Sequence, residues 1–303
     1  MRQEGQAESA AALQRGLALE AGHRTDDAYA CFLQATALDP GNGRAWRQLG
    51  NLLRRTGRLA EASQCFGCAI AAGDDPALNA FFLSAVGVGP VASSAPAGFV
   101  SALYDQYAER FDRHLVQELQ YRAPRLLADL LVRDRDAPFD AALDLGCGTG
   151  LTGVALGAAV RRIDGVDLSA HMLAEARKTG LYARLMLADL QQHLLRANER
   201  YDLLVCCDAF IYVGDLQAVF AGARRVLTPQ GSFGFTVESC DAELGYDLLP
   251  TLRFAHSESS IRRLAAAHGF GVRGVAREVV RQQDGQPVEG LLVHLALDAQ
   301  PGV

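Results

Sequence analysis

The sequence predicts an α/β domain, built as a doubly wound, mostly parallel sheet of seven strands, behind an all-α segment. Three observations carry this. Apolar runs alternate with helical stretches through the C-terminal two thirds, a glycine-rich bend (Gly146-Cys147-Gly148-Thr149-Gly150) directly follows one such run, and an internal repeat precedes it. At 303 residues the chain exceeds one ordinary domain, and with 50% apolar and 21% charged residues it has a globular composition. The net charge is -6 and the basic residues, among which Lys178 is the sole lysine, are scattered. That gives no footprint for nucleic acid or an anionic membrane. The first residues lack an apolar signal core and no apolar run is long enough to span a bilayer, so a cytoplasmic location is expected. Seven cysteines, an odd number, are expected reduced and buried; Cys65-x-x-Cys68 has no answering pair, which argues against structural zinc.

The first elements are paired helices. Gly16, Ala28, Cys31, Phe32 and Ala35 recur at Gly50, Ala62, Cys65, Phe66 and Ala69, a constant displacement of 34 residues. Small residues at 16, 28, 50 and 62 let helices approach closely, with Phe32 and Phe66 filling the space between them, and Pro40 and Pro76 are expected to close the second helix of each unit. Ala77 to Val86 supplies a closing helix or docks on the following domain. Trp46-x-x-Leu49-Gly50 followed by Ala62-x-x-x-Phe66 resembles the tetratricopeptide repeat, whose concave arrays bind peptides or protein partners. A helical cap that only shields its neighbour is the competing account. The segment is assigned to residues 8–86, a Pro- and Ser-containing linker to 87–98, and the α/β domain to 99–303.

An amphipathic helix with Phe99, Leu103, Tyr104, Tyr107, Phe111 and Leu115 on one face opens that domain. The first strand, near 140–145, carries Asp144 and breaks into the bend, whose glycines permit conformations closed to other residues and leave the main chain bare. A helix begins near Leu151, so unpaired N–H groups favour an anionic group there. The second strand, near 162–167, ends in Asp167, where a ribose-binding carboxylate belongs in such folds. Leu151 stands where G-x-G-x-x-G would need glycine, which disfavours a nicotinamide cofactor. Strands near 183–188, 201–207 and 231–237 follow, then 271–280 and 288–297 as an antiparallel edge joined by Gln282-Gln283-Asp284-Gly285.

At these residues the chain resembles the class I S-adenosylmethionine-dependent methyltransferases. Asp144-Leu-Gly-Cys-Gly-Thr-Gly150 matches their first motif and Gly165-Val-Asp-Leu-Ser169 the second; Ala188-Asp189-Leu190, Tyr201 to Asp208 and Leu227 to Thr236 continue the likeness, in order and at the right spacing. With the repeats in front, the chain is similar to a bacterial group of predicted methyltransferases that contain tetratricopeptide repeats. The resemblance implies a Rossmann-like fold and S-adenosylmethionine as cofactor, with S-adenosylhomocysteine as product. It places Gly146 and Gly148 at the methionyl portion with Asp144 and Cys147 also among the cofactor-binding residues, Asp167 on the ribose hydroxyls, Leu168 and Met172 against adenine, and Asp189 and Leu190 at its amino group and ring. Asp189 as a helix N-cap is the alternative. Tyr107, with Tyr104 and Phe111, meets the sulfonium or simply packs in the core. Arg122 pairs with the methionyl carboxylate or lies solvated. Asp208, at the end of the fourth strand, falls near both sulfonium and acceptor.

Methyl transfer from a sulfonium needs alignment and exclusion of water, and a general base only where the acceptor must shed a proton. His256, Asp208 and Tyr212 are the candidate bases. His256 is expected in a loop just before a helix capped by Ser257, where a structural role competes with a catalytic one. The fourth strand lacks the Asn/Asp-Pro-Pro-Tyr/Phe turn of base-amino methyltransferases, and there is no Pro-Cys nucleophile. The expected acceptor is an O or N atom of a small metabolite or peptide, not a nucleic-acid base. A cofactor-binding scaffold without turnover, recruiting a protein partner through the repeats, is the alternative.

Overall fold

A computed structural model describes residues 2–298 apart from 106–110, 112–114, 116–118, 134, 242–244 and 284. The chain divides into two compact units: Met1–Ala92 with Leu248–Arg253, and Ser93–Asp247 with Phe254–Val303.

The first unit is helical, with α1 (Arg2–Ala21), α2 (Thr25–Leu38), α3 (Gly43–Arg55), α4 (Leu59–Ala71) and α5 (Pro76–Ala85). Its two helix pairs meet where the repeat places small residues. A Cβ on Gly16 would stand 2.5 Å from the Phe32 ring, and one on Gly50 would stand 2.7 Å from Phe66. Phe32, Phe66, Ala28 and Ala62 are wholly buried. Pro76 departs from expectation: it opens α5 at the first turn, with Asp75 capping Ala77 and Leu78, whereas α4 has already ended at Ala71. A proline's missing N–H costs nothing at a helix start.

In the second unit, α6 (Ala97–Asp105) and α7 (Ala123–Val132) precede β1 (Ala142–Leu145), α8 (Leu151–Leu156), β2 (Ile163–Asp167), α9 (Ala170–Lys178), β3 (Tyr182–Leu187), α10 (Leu190–Arg196) and β4 (Tyr201–Cys206). A 3-10 turn (Phe210–Tyr212), α11 (Gln217–Val226), β5 (Leu227–Ser239), β6 (Tyr246–Leu248), β7 (Phe254–His256), α12 (Glu258–Ala267), β8 (Phe270–Gln283) and β9 (Gln286–Leu297) complete it. Strands β3, β2, β1, β4 and β5 run parallel in that order; β9 pairs antiparallel with β5, and β8 with β9. All seven expected strands are present. The short β6 and β7 are additional, β7 pairing with the overrun of β5 at Glu238 and Ser239. Three-residue strands carry no readable periodicity.

Helices cover both faces: β1 is buried throughout, β4 at every residue but Asp202, and alternate residues feed two cores. Leu143, Leu145, Leu204 and Cys206 join Leu194, Val219 and Phe220 on one face, while Ala142, Leu203 and Val205 join Leu127, Leu131 and Leu156 on the other. This is the packing of a parallel sheet sandwiched by helices. The predicted linker is not free along its length. The Ser93 carbonyl accepts from Gly214 and Asp215 N–H, and the Ala95 N–H donates to the Tyr212 carbonyl.

Candidate functional site

The carboxyl ends of β1, β2 and β4 lie side by side, so the segments leaving them share one edge of the sheet. At the end of β1, Gly146, Gly148 and Gly150 have φ of 70°, 53° and 97°, the left-handed region that glycine tolerates. A Cβ on Gly146 would stand 2.5 Å from that of Ala209. The bend is stitched to β2, since the Gly146 and Cys147 N–H groups both donate to the Val166 carbonyl, at 2.8 and 3.0 Å. Around Gly148 the situation reverses: a Cβ there would meet nothing within 4 Å, so the main chain faces open space.

Asp167 closes on this bend. Its Oδ2 accepts from the Gly148 N–H and its Oδ1 from the Ser169 N–H, each at 2.8 Å. Burial pushes its carboxyl above the ordinary range, and the backbone N–H groups hold it back. Each oxygen keeps an accepting lone pair beyond these bonds. Ser169 caps α9 through the Met172 N–H, donates its hydroxyl to Asp105 at 2.5 Å, and thereby ties α6 to this strand end. Met172 is buried and Leu168 half-buried.

Asp144 lies wholly inside, its Oδ2 accepting from the Tyr182 hydroxyl at 2.7 Å and its Oδ1 without a partner among the described residues. Burial raises its carboxyl to about 7, against the pull of Tyr182 and helped by the Asp167 charge. Cys147 is buried, and its thiol is pushed well up by burial and by both aspartates, which makes it inert. Asp189 caps α10 by accepting from the Gln192 N–H at 2.9 Å, and Leu190 packs against the core.

Beyond β4 the chain turns through Asp208 at a φ of 59°, with the Asp208 N–H donating to Thr236 Oγ1 at 2.8 Å. Its carboxylate is forked onto Arg281 Nη1 at 3.1 and 2.9 Å, and Arg281, 3% exposed, also pairs with Glu238. Sequence reasoning missed Arg281. A bulge between Val279 and Arg281 buries Val280 and Arg281 together, against strict alternation, and among the neighbouring Arg277, Glu278, Gln282 and Gln283 no local pattern marked it. Tyr212 is buried, its hydroxyl 3.1 Å from that of Tyr104 on α6 and the two rings edge to face.

His256 lies on β7 rather than in a loop, 1% exposed, with Nε2 at 3.0 Å from the Val213 carbonyl. A nitrogen facing a carbonyl must carry the proton, and burial lowers the imidazole to about 4. It is neutral and committed, and it pins β7 to the turn after β4. Arg122 is exposed at the start of α7, its N–H donating to the Val280 carbonyl at 2.9 Å. Tyr107 lies outside the described residues; the Tyr104 and Phe111 rings pack 5.8 Å apart.

Residues 142–231 match the family model of the methyltransferase domain, and residues 31–64 that of the tetratricopeptide repeat. The chain is 40% identical over 116 residues to methyltransferase-like protein 27 of Homo sapiens, which covers 37% of this chain and 45% of that protein. Over 157 residues it is 33% identical to the malonyl-[acyl-carrier protein] O-methyltransferase of Enterobacter lignolyticus, covering 52% and 57%. The fold is shared with magnesium protoporphyrin IX methyltransferase from Synechocystis PCC 6803 with bound SAH: TM-score 0.52, 16% identity, 66% of this chain and 98% of that one. The chain spans about half the length of these two curated relatives. Strand order and matched residues together define a class I methyltransferase fold. Residues 142–231 thus carry the match to a methyltransferase domain, behind a tetratricopeptide-repeat match at residues 31–64.

Proposed function

We propose that the chain is an S-adenosylmethionine-dependent methyltransferase that methylates an O or N atom of a small metabolite or peptide, with the helical repeats binding that substrate or a protein partner. One observation carries the reading. The bend after β1 is left-handed at three glycines, presents open space at Gly148, and is bonded to the acid that ends β2. The group fits: the main chain can approach a ligand there, and Asp167 retains lone pairs for the ribose hydroxyls.

When bound, S-adenosylmethionine supplies an electrophilic methyl on a positively charged sulfur. Gly146, Cys147 and Gly148 would lie along its methionyl portion, with Arg122 free to reach the carboxylate and Asp144 beneath the bend. Leu168 and Met172 would pack on adenine, beside Leu190. Asp189 already spends one oxygen on its helix cap, and the other remains for the adenine amino group. Tyr212 and Tyr104 would wall the acceptor side and exclude water.

Asp208 is a poor candidate for proton removal, because both of its carboxylate oxygens already accept from Arg281 Nη1. His256 is committed to a carbonyl. The chemistry that remains is alignment of an acceptor whose lone pair is already available, the methyl–sulfur bonding pair returning to sulfur as the new bond forms. Incubation of the full chain with methyl-labelled cofactor and pooled metabolites or peptides tests this. Labelled product is expected; binding of S-adenosylhomocysteine without turnover of any acceptor would support the scaffold reading instead.

A further inference from the structure

Three glycines of the site share one neighbour. An added Cβ at Gly150, Gly153 or Gly165 would stand 3.0, 2.8 or 2.9 Å from the Tyr182 side chain, so the ring fills the space that these residues leave. Gly150 ends the bend, Gly153 lies in the helix that follows, and Gly165 in β2. The Tyr182 hydroxyl then reaches Asp144 at 2.7 Å, on the strand that leads into the bend. One side chain thus reaches β1, the end of the bend, the helix after it and β2.

We propose that Tyr182 is a positioning residue: its ring holds the glycine bend open, and its hydroxyl, donating to Asp144, couples cofactor binding to the ionisation of that acid. The proposal rests on the methyltransferase reading of the site. Among the described residues no donor reaches the buried Asp144 Oδ1, a state that costs free energy until a donor arrives. The ammonium that S-adenosylmethionine and S-adenosylhomocysteine both carry favours the ionised form. The Tyr182 hydroxyl bonds to that form and lowers the pH at which it appears. The other ionisable groups acting on Asp144 are Asp167, whose charge opposes ionisation, and the thiols of Cys147, Cys206 and Cys207, which burial keeps neutral.

The test is titration with S-adenosylhomocysteine from about pH 6 to about pH 8. The wild-type protein is expected to bind more tightly as Asp144 ionises. Tyr182→Phe keeps the ring, so binding persists, but affinity near neutrality falls roughly tenfold and the rise moves about one pH unit upward. Asp144→Asn keeps the shape without the charge, and its affinity is expected to be flat with pH. A uniform loss in Tyr182→Phe with an unmoved pH profile would reduce Tyr182 to packing and overturn the proposal, as would a pH-dependent Asp144→Asn. Failure of the wild-type protein to bind at any pH would instead sink the methyltransferase reading itself.

Discussion

His256 ends β7 with 1% of its surface exposed and its Nε2 against the Val213 carbonyl at 3.0 Å. Its folded value of about 4 lies below the ordinary 6.5, so between these two the unfolded chain binds the extra proton. Stability is therefore complete above about pH 6.5 and is lost as pH falls toward 4, by roughly 3 kcal/mol in all. Asp144 works in the opposite sense over an overlapping window, because its folded value is raised to about 7. The informative quantity is the difference between two proteins. Urea unfolding of wild type and His256→Gln at several pH values should show the variant losing less stability on acidification; parallel curves would contradict the buried, neutral imidazole. The residue type was legible in the sequence, but its burial was not. A histidine before a serine-capped helix looks like a loop residue until a three-residue strand, set by the overrun of β5, draws it inside.

Among elements, β8 holds the unexpected part of the site. Arg281 lies between Asp208, at the end of β4, and Glu238, near the end of β5, so three strands meet at one buried cation. Removing it withdraws the Arg281 charge from both Asp208 and Glu238. Arg281→Met is expected to cost about 3 to 5 kcal/mol in thermal or urea unfolding, whereas a loss under about 1 kcal/mol would show that the acids find other partners. The first two strands, their acids and the glycine bend were legible because each depends on local chemistry: apolar runs, left-handed positions, a carboxylate at a strand end. The Asp189 cap was readable as an alternative and is the bond observed. Arg281 was not, since its role depends on a bulge and on strand pairings between residues 73 and 43 positions apart.

Across the whole molecule, the repeat period marked the helix pairs, but it could not assign Leu248–Arg253 to the same compact unit as residues 1–92. That segment joins through long-range contacts such as the Arg54 guanidinium on the Pro250 carbonyl, which no local pattern encodes. The functional account as a whole depends on a crevice made from a bare main-chain bend and the acid bonded to it. Calorimetric titration of the full chain with S-adenosylhomocysteine, and of its Asp167→Ala variant, addresses this most directly. The account predicts a wild-type dissociation constant on the order of micromolar, weakened at least about tenfold in the variant, and no comparable binding of NAD. Equal affinity in the two proteins, or tighter binding of NAD, would contradict it.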